Sequence, residues 1–172
     1  MERVCIIGGS ETGKTTLANN LGRELNLPVY HIDGIHHLEN WEIRDKDERD
    51  KIIIEKANQS KWIIDGTYRS TLQQRLEKAD HIIYLDYSTF AQVIGIMKRF
   101  LKNHGKEKEE IPGCREQMNW KFFCFVVNWR KNKRNDVLEE ISKVNQEKVF
   151  IFHNRKQLNK WYKNTFNKKI EC

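Results

Sequence analysis

The 172-residue chain predicts a three-layer α/β/α fold around a parallel sheet, and three observations carry that expectation. Five short apolar runs alternate with helical stretches along the chain. Those runs are apolar at nearly every position, as expected of strands covered on both faces by crossover helices. A glycine-rich turn ending in Lys-Thr comes directly after the first run.

The elements are read in order from apolar periodicity and breaker residues. Arg3 to Ile7 predicts the first strand, and Lys14 to about Asn26 a helix after the glycine-rich turn. Val29 to Ile32 predicts the second strand, followed by a helix over Asp45 to Gln59. Trp62 to Ile64 predicts the third strand, followed by a helix over Thr71 to Lys78. His81 to Leu85 predicts the fourth, and Ser88 is placed to cap the next helix. From Thr89 to Val144 the pattern is helical, broken near Gly105 and Pro112-Gly113, with the Lys/Glu-rich stretch His104 to Glu110 expected to be mobile. Val149 to Phe152 predicts the fifth strand. The length suits one domain over residues 1–172; repeats, linkers and low-complexity tracts are absent from the sequence.

The turn itself carries the chemistry. Gly8-Gly9-Ser10-Glu11-Thr12-Gly13-Lys14-Thr15 fits the pattern G-x-x-x-x-G-K-[ST]. Glycines let the backbone curl so that successive N–H groups face an anion, a lysine cation meets the β/γ-phosphates, and a Thr hydroxyl is available to Mg²⁺. The helix beginning at Lys14 adds its positive N-terminal end, and Thr16 continues the site. ATP with Mg²⁺ is therefore the expected ligand. Glu11 puts a carboxylate in the loop, where repulsion with phosphate requires it to point outward or meet a cation.

Composition narrows the function classes. Cysteines at 5, 114, 124 and 172 form no C-x-x-C pair, so neither a zinc site nor a disulfide framework is indicated. The chain reaches a strand within three residues, and its longest apolar run, Phe122 to Val127, is too short for a membrane span; a cytoplasmic protein is expected. Between Lys98 and Arg134 eleven Lys/Arg face four Glu, a surplus of seven that equals the formal charge of the whole chain, +7. Such a block fits a phosphate-facing lid, a nucleic-acid patch or a solvated helix face.

In a doubly wound sheet the ligand lies beyond the carboxyl ends of the strands. Asp65 follows Trp62-Ile63-Ile64 and precedes Gly66, as a Mg²⁺-organising carboxylate does. Asp33 follows Val29-Tyr30-His31-Ile32 and precedes Gly34, where an acid can hold or deprotonate an acceptor hydroxyl. Either Asp could instead cap a turn with its neighbouring Gly. His31, His36 and His37 match no familiar metal spacing, and lining of the acceptor pocket is the alternative. Trp120, Phe122, Phe123, Phe125 and Trp129 suit packing on the sheet better than base stacking.

The ensemble Gly8 to Thr16, Tyr30-His31-Ile32-Asp33, Trp62 to Tyr68 and His81 to Asp86 resembles the DNA topology modulation protein (FlaR-type) family, a branch of the adenylate-kinase-like P-loop kinases. The resemblance extends over nearly the whole chain. It implies a P-loop NTPase fold with five parallel strands ordered 2-3-1-4-5 and a helical lid, here about residues 99–134. It also implies nucleoside monophosphate kinase-like chemistry, in which Arg69, after Asp65-Gly66, holds an acceptor phosphate. Thr67-Tyr68 stands where relatives usually have Phe-Pro, Glu11 where they usually have Gly, and Arg75 competes for the role of Arg69. By the same resemblance Lys98, Arg99 and Arg115 are lid cations, joined by Arg130, Lys131, Lys133 or Arg134, and Asn154-Arg155 contacts the adenine base unless Asn154 serves as a helix cap.

The expected activity is Mg·ATP-dependent phosphoryl transfer to a small molecule. Catalysis would fall to Lys14, Asp33, Asp65, Arg99 and Arg115, with the acceptor at Asp33, His36, Gly66 and Arg69. The alternative is an ATP-dependent DNA-binding protein acting on DNA topology, although the chain carries no helix-turn-helix, finger or OB-type signature.

Overall fold

The computed structural model describes the backbone of residues 1–103, 107–108, 111–115 and 120–171; the side chains of 99, 102–119, 121, 122 and 125 lie outside that description. Strands β1 (Arg3–Gly8), β2 (Val29–His31), β3 (Trp62–Asp65), β4 (His81–Leu85) and β7 (Val149–Phe152) form one parallel sheet. Its order is β2-β3-β1-β4-β7, the 2-3-1-4-5 arrangement expected. All four pairings are parallel, with Ile6 beside Asp65, and Gly8 beside Leu85.

Alternation along β1 divides the core. Val4 and Ile6 face one layer with Leu17, Leu21, Leu158 and Tyr162, which belong to helices α1 (Lys14–Leu25) and α7 (Arg155–Phe166). Cys5 and Ile7 face the other layer with Ile53, Leu72, Leu76, Trp129 and Ile141, from α3 (Lys46–Ala57), α4 (Leu72–Lys78) and α6 (Trp120–Ser142). Residues 4–7 are fully buried, so the sheet is covered on both faces. This explains why its strands read as unbroken apolar runs.

The local signals at helix starts hold. Asp45 caps α3, accepting from the N–H groups of Asp47 and Glu48, which keeps its carboxyl below the usual range. Ser88 Oγ accepts from Ala91 N at 3.3 Å at the start of α5 (Thr89–Asn103). Asn154 Oδ1 accepts from Gln157 N at 3.0 Å and caps α7.

Two expectations need correction. Ile32 does not end β2; it opens a short helix α2 (Ile32–His36), so Asp33 lies in a helical first turn and not at a strand's tip. The region 89–144 is not helical throughout. Between α5 and α6 the backbone forms an antiparallel pair, β5 (Glu107–Lys108) with β6 (Ile111–Arg115), and β6 lies against the turn Glu39–Trp41. Pro112 has no N–H to donate, which a two-stranded edge tolerates and a helix interior does not. The stretch 104–110, expected to be mobile, falls largely outside the described residues. No helix among the described residues is long and apolar enough to cross a membrane.

Candidate active site

The phosphate-type loop occupies the gap between β1 and α1. Gly8 has φ +155°, and a Cβ there would fall 2.7 Å from Leu85 O; Gly13 has φ +85° at the N-cap of α1, where a left-handed backbone favours glycine. Thr12 Oγ1 and Lys14 Nζ both donate to Gly9 O, at 3.0 and 2.7 Å. Lys14 therefore parks its ammonium on the loop's own carbonyl, a bond it can exchange for phosphate oxygens. Thr67 pins the loop's other end, accepting from Gly8 N at 2.9 Å and donating to Gly8 O at 2.8 Å.

The loop is also supported from above. Gln92 is fully buried, donates to Tyr87 O at 3.0 Å, and brings its carboxamide against Gly9. Glu11 adopts φ +58° and packs on Gly95 of α5, where a Cβ would fall 2.8 Å from Glu11 Cβ and 2.9 Å from Glu11 O. Alanine normally stabilises a helix by about 1 kcal/mol over glycine. At Gly95 the opposite is expected: Gly95→Ala should lower the melting temperature and weaken ATP binding several-fold, because backbone of the loop must shift. Unchanged affinity by calorimetry would show that α5 does not constrain the loop.

Asp65, 4 % exposed, sits at the end of β3 beside the loop. It accepts from Thr15 Oγ1 at 3.1 Å and pairs with His31 Nδ1 at 2.7 Å, while His31 Nε2 faces Asn19 Oδ1 at 3.1 Å. A buried carboxylate beside a hydroxyl offers the hard oxygen donors that suit Mg²⁺, so Thr15 and Asp65 fit that ion. His31 thus serves Asp65, a partnership that the spacing of the histidines did not reveal.

On the other flank, Tyr68 OH donates to Asp33 Oδ1 at 3.1 Å. Burial and the adjacent Asp33 carboxylate push the phenol well up, so Tyr68 keeps its proton. Arg49 Nη1 lies 3.3 Å from His36 Nδ1, and its guanidinium stands 5.1 Å from the Tyr68 ring centre. Burial lowers the His36 pKa, and His37 and Arg49 push it the same way, so the ring is neutral at pH 7 and can accept from Arg49. Asp33, Tyr68 and His36 are thereby brought together.

Arg69 and Arg75 separate clearly. Arg75 is fully buried and donates to Gly66 O, Tyr68 O and Thr71 Oγ1. It shapes the turn after β3 and cannot reach an acceptor, which removes it as the alternative to Arg69. Gly66, with φ +134°, lies where a Cβ would meet Ile32 Cβ at 2.9 Å. Arg69 is half-exposed and bonded to Asp136 of α6 at 2.7 Å.

Among the cations expected in a lid, Lys98 and Lys131 are exposed, Arg99 lies on α5, and Arg115 on β6; the side chains of Arg99 and Arg115 fall outside the described residues. Arg130 and Arg134 have a definite partner. Asp86, whose side chain is 1 % exposed just beyond β4, receives Arg134 through both oxygens at 2.8 to 3.1 Å and Arg130 Nη1 at 3.0 Å, with His153 Nδ1 at 3.4 Å. Hydrogen bonding to Asp86 raises the Arg134 pKa further above its usual value. With Asp33 in a helix, Asp86 is the second acid after Asp65 at a strand's carboxyl end; its position after His81 to Leu85 was the available signal. The nearest guanidinium nitrogen of Arg155 would lie 3.9 Å from a Cβ on Gly13, which puts that cation at the loop. Asn154, as the cap of α7, uses its side-chain oxygen on its own helix.

Trp129 belongs to the core at 6 % exposure, Phe123 stacks on the 73 % exposed Trp120 at 5.3 Å, and the side chains of Phe122 and Phe125 lie outside the described residues.

No family model and no curated protein matches the chain, so the resemblance to the FlaR-type family is not confirmed. Solved structures do match. A shikimate kinase from Bacteroides thetaiotaomicron superposes with a TM-score of 0.59 at 15% identity, covering 97% of this chain and 99% of its own. A gluconokinase from Sinorhizobium meliloti 1021 gives 0.56 at 14%, covering 96% and 90%, and a sugar kinase from Janibacter sp. HTCC2649 gives 0.51 at 15%, covering 97% and 94%. None of the three is described as a DNA-topology protein, and the DNA alternative gains no support. At these identities the likeness establishes the fold: the chain folds as P-loop kinases do.

Proposed function

We propose that the protein is a Mg·ATP-dependent kinase for a small-molecule hydroxyl group. The observation that carries this reading is the placing, beyond the carboxyl ends of β1 to β3, of the Gly8–Thr16 loop, the Thr15–Asp65 pair and the Asp33–Tyr68 pair, with Thr67 bonded to Gly8. Backbone amides of the loop hold the polyphosphate, and Lys14 leaves Gly9 O to neutralise charge on the γ-phosphoryl oxygens. Thr15 and Asp65 would hold Mg²⁺, with Asp65 oriented by His31; the ion, when bound, would supply charge neutralisation for the polyphosphate. Arg155 adds charge at the nucleotide end, and Arg99 and Arg115 are the lid cations of this reading.

Asp33, held by Tyr68 OH, orients the acceptor. The acceptor oxygen bonds to γ-phosphorus, the bond from γ-phosphorus to the bridging oxygen breaks, ADP leaves with that electron pair, and the hydroxyl proton passes to the Asp33 carboxylate. His36, Gly66 and Arg69 line the same side. A screen of nucleoside monophosphates, sugars and hydroxy acids for acceptor-dependent ADP release tests the reading. Asp33→Asn should lower acceptor-dependent turnover roughly 100-fold, in the range of general-base contributions, and leave ATP affinity unchanged. Full turnover in that variant would place the acceptor elsewhere. Duplex DNA binding that falls steeply with salt, without acceptor-dependent ADP release, would favour the DNA alternative.

A further inference from the structure

We infer that the acceptor is a small acid with an apolar carbon face, seated between the segment after β3 and helix α6; this rests on the kinase reading above. A cleft of about 240 Å³ lies there, lined by Thr67, Tyr68, Arg69, Trp129, Lys133 and Val137. Residues 129, 133 and 137 are spaced by fours and share one face of α6. Trp129 and Val137 are 6 % and 1 % exposed, which makes the floor apolar.

Charge at the rim favours an anion. Arg69 is neutralised by Asp136 at 2.7 Å, while Lys133 has no ion-pair partner among the described residues, so the rim keeps one uncompensated cation. A carboxylate or similar anion meets Lys133 and the adjacent Arg69 fork. A neutral polyol would gain nothing from the exposed Lys133 and would set hydroxyls against the apolar Trp129 and Val137 floor. Two of its lining residues are tied to the proposed reaction site: the Thr67 hydroxyl is bonded to Gly8 and the Tyr68 hydroxyl to Asp33. An acceptor with its anion at the cations and its hydroxyl turned past Thr67 and Tyr68 would face the phosphate loop and Asp33.

The test uses the full chain saturated with Mg·ADP and three probes: 3-hydroxybenzoate, its uncharged analogue 3-hydroxybenzamide, and AMP. Binding is followed by ligand-observed NMR. The benzoate should bind about tenfold more tightly than the amide. Lys133→Gln should erase that preference, Lys133→Arg should restore it, and ADP affinity measured on the same variants reports whether the fold and nucleotide site persist. Equal binding of acid and amide, a preference unaltered in Lys133→Gln, or tighter binding of AMP in the same cleft overturns the inference. If the acid preference and its Lys133 dependence appear while no acceptor releases ADP from Mg·ATP, the kinase reading fails and the anion site stands.

Discussion

Lys14→Ala should yield a folded protein whose acceptor-dependent ADP release is slower by about 10²- to 10³-fold, the range for removing one preorganised donor from a transition-state oxyanion. The described contact of Lys14 is its bond to Gly9 O, and the side chain is only half-buried. Losing it costs the resting protein little, so the melting temperature should stay within a few degrees of the parent. The Thr12 bond to the same carbonyl remains to hold the loop. The loss should appear in kcat more than in ATP affinity, because charge on the γ-phosphoryl oxygens develops as transfer proceeds. Steady-state turnover together with ATP calorimetry separates the two quantities. A variant that turns over normally would remove the Lys14 ammonium from the chemistry.

Asp86→Ala should act on stability. The side chain is 1 % exposed and receives two guanidinium groups and one imidazole, and the two arginines are about 30 % exposed. Removing the carboxylate leaves two adjacent cations without their shared counter-charge, and breaking a buried pair in this way costs about 3 kcal/mol. For a domain of this size that corresponds to a fall in melting temperature of roughly 10 °C. The same change frees the α6 face that carries Arg130 and Arg134 from the end of β4. A shift below about 2 °C would mean that packing by Trp129, Val137 and Ile141 alone holds α6 in place.

The parallel sheet was legible because strands covered on both faces leave long apolar runs, while its order came from the resemblance of the spaced motifs to the adenylate-kinase-like P-loop kinases and not from the runs themselves. The place of Asp65 beside the loop was legible because it directly follows a buried strand, whereas Asp33, with the same Asp-Gly pattern, turned out to lie in a helix. The partnerships were not legible. Arg134 and Asp86 are 48 residues apart, and His31 and Asp65 are 34 apart, so nothing local announces either pair. Arg75 could not be separated from Arg69 by spacing, since only burial shows that one supports the turn and the other reaches its surface. The antiparallel pair at 107–115 was hidden because its strands are too short for period-two alternation to stand out from a charged, broken helical pattern.

The buried Arg75 separates form from specificity. By holding the carbonyls of residues 66 and 68 from beneath, it sets the path of the backbone independently of what Arg69 displays outward, while Thr67 stays tied to Gly8. On the kinase reading, exchanging Arg69 should therefore retune which compound is accepted while the underlying scaffold is retained, making that one position the natural place to redirect the protein toward new chemistry.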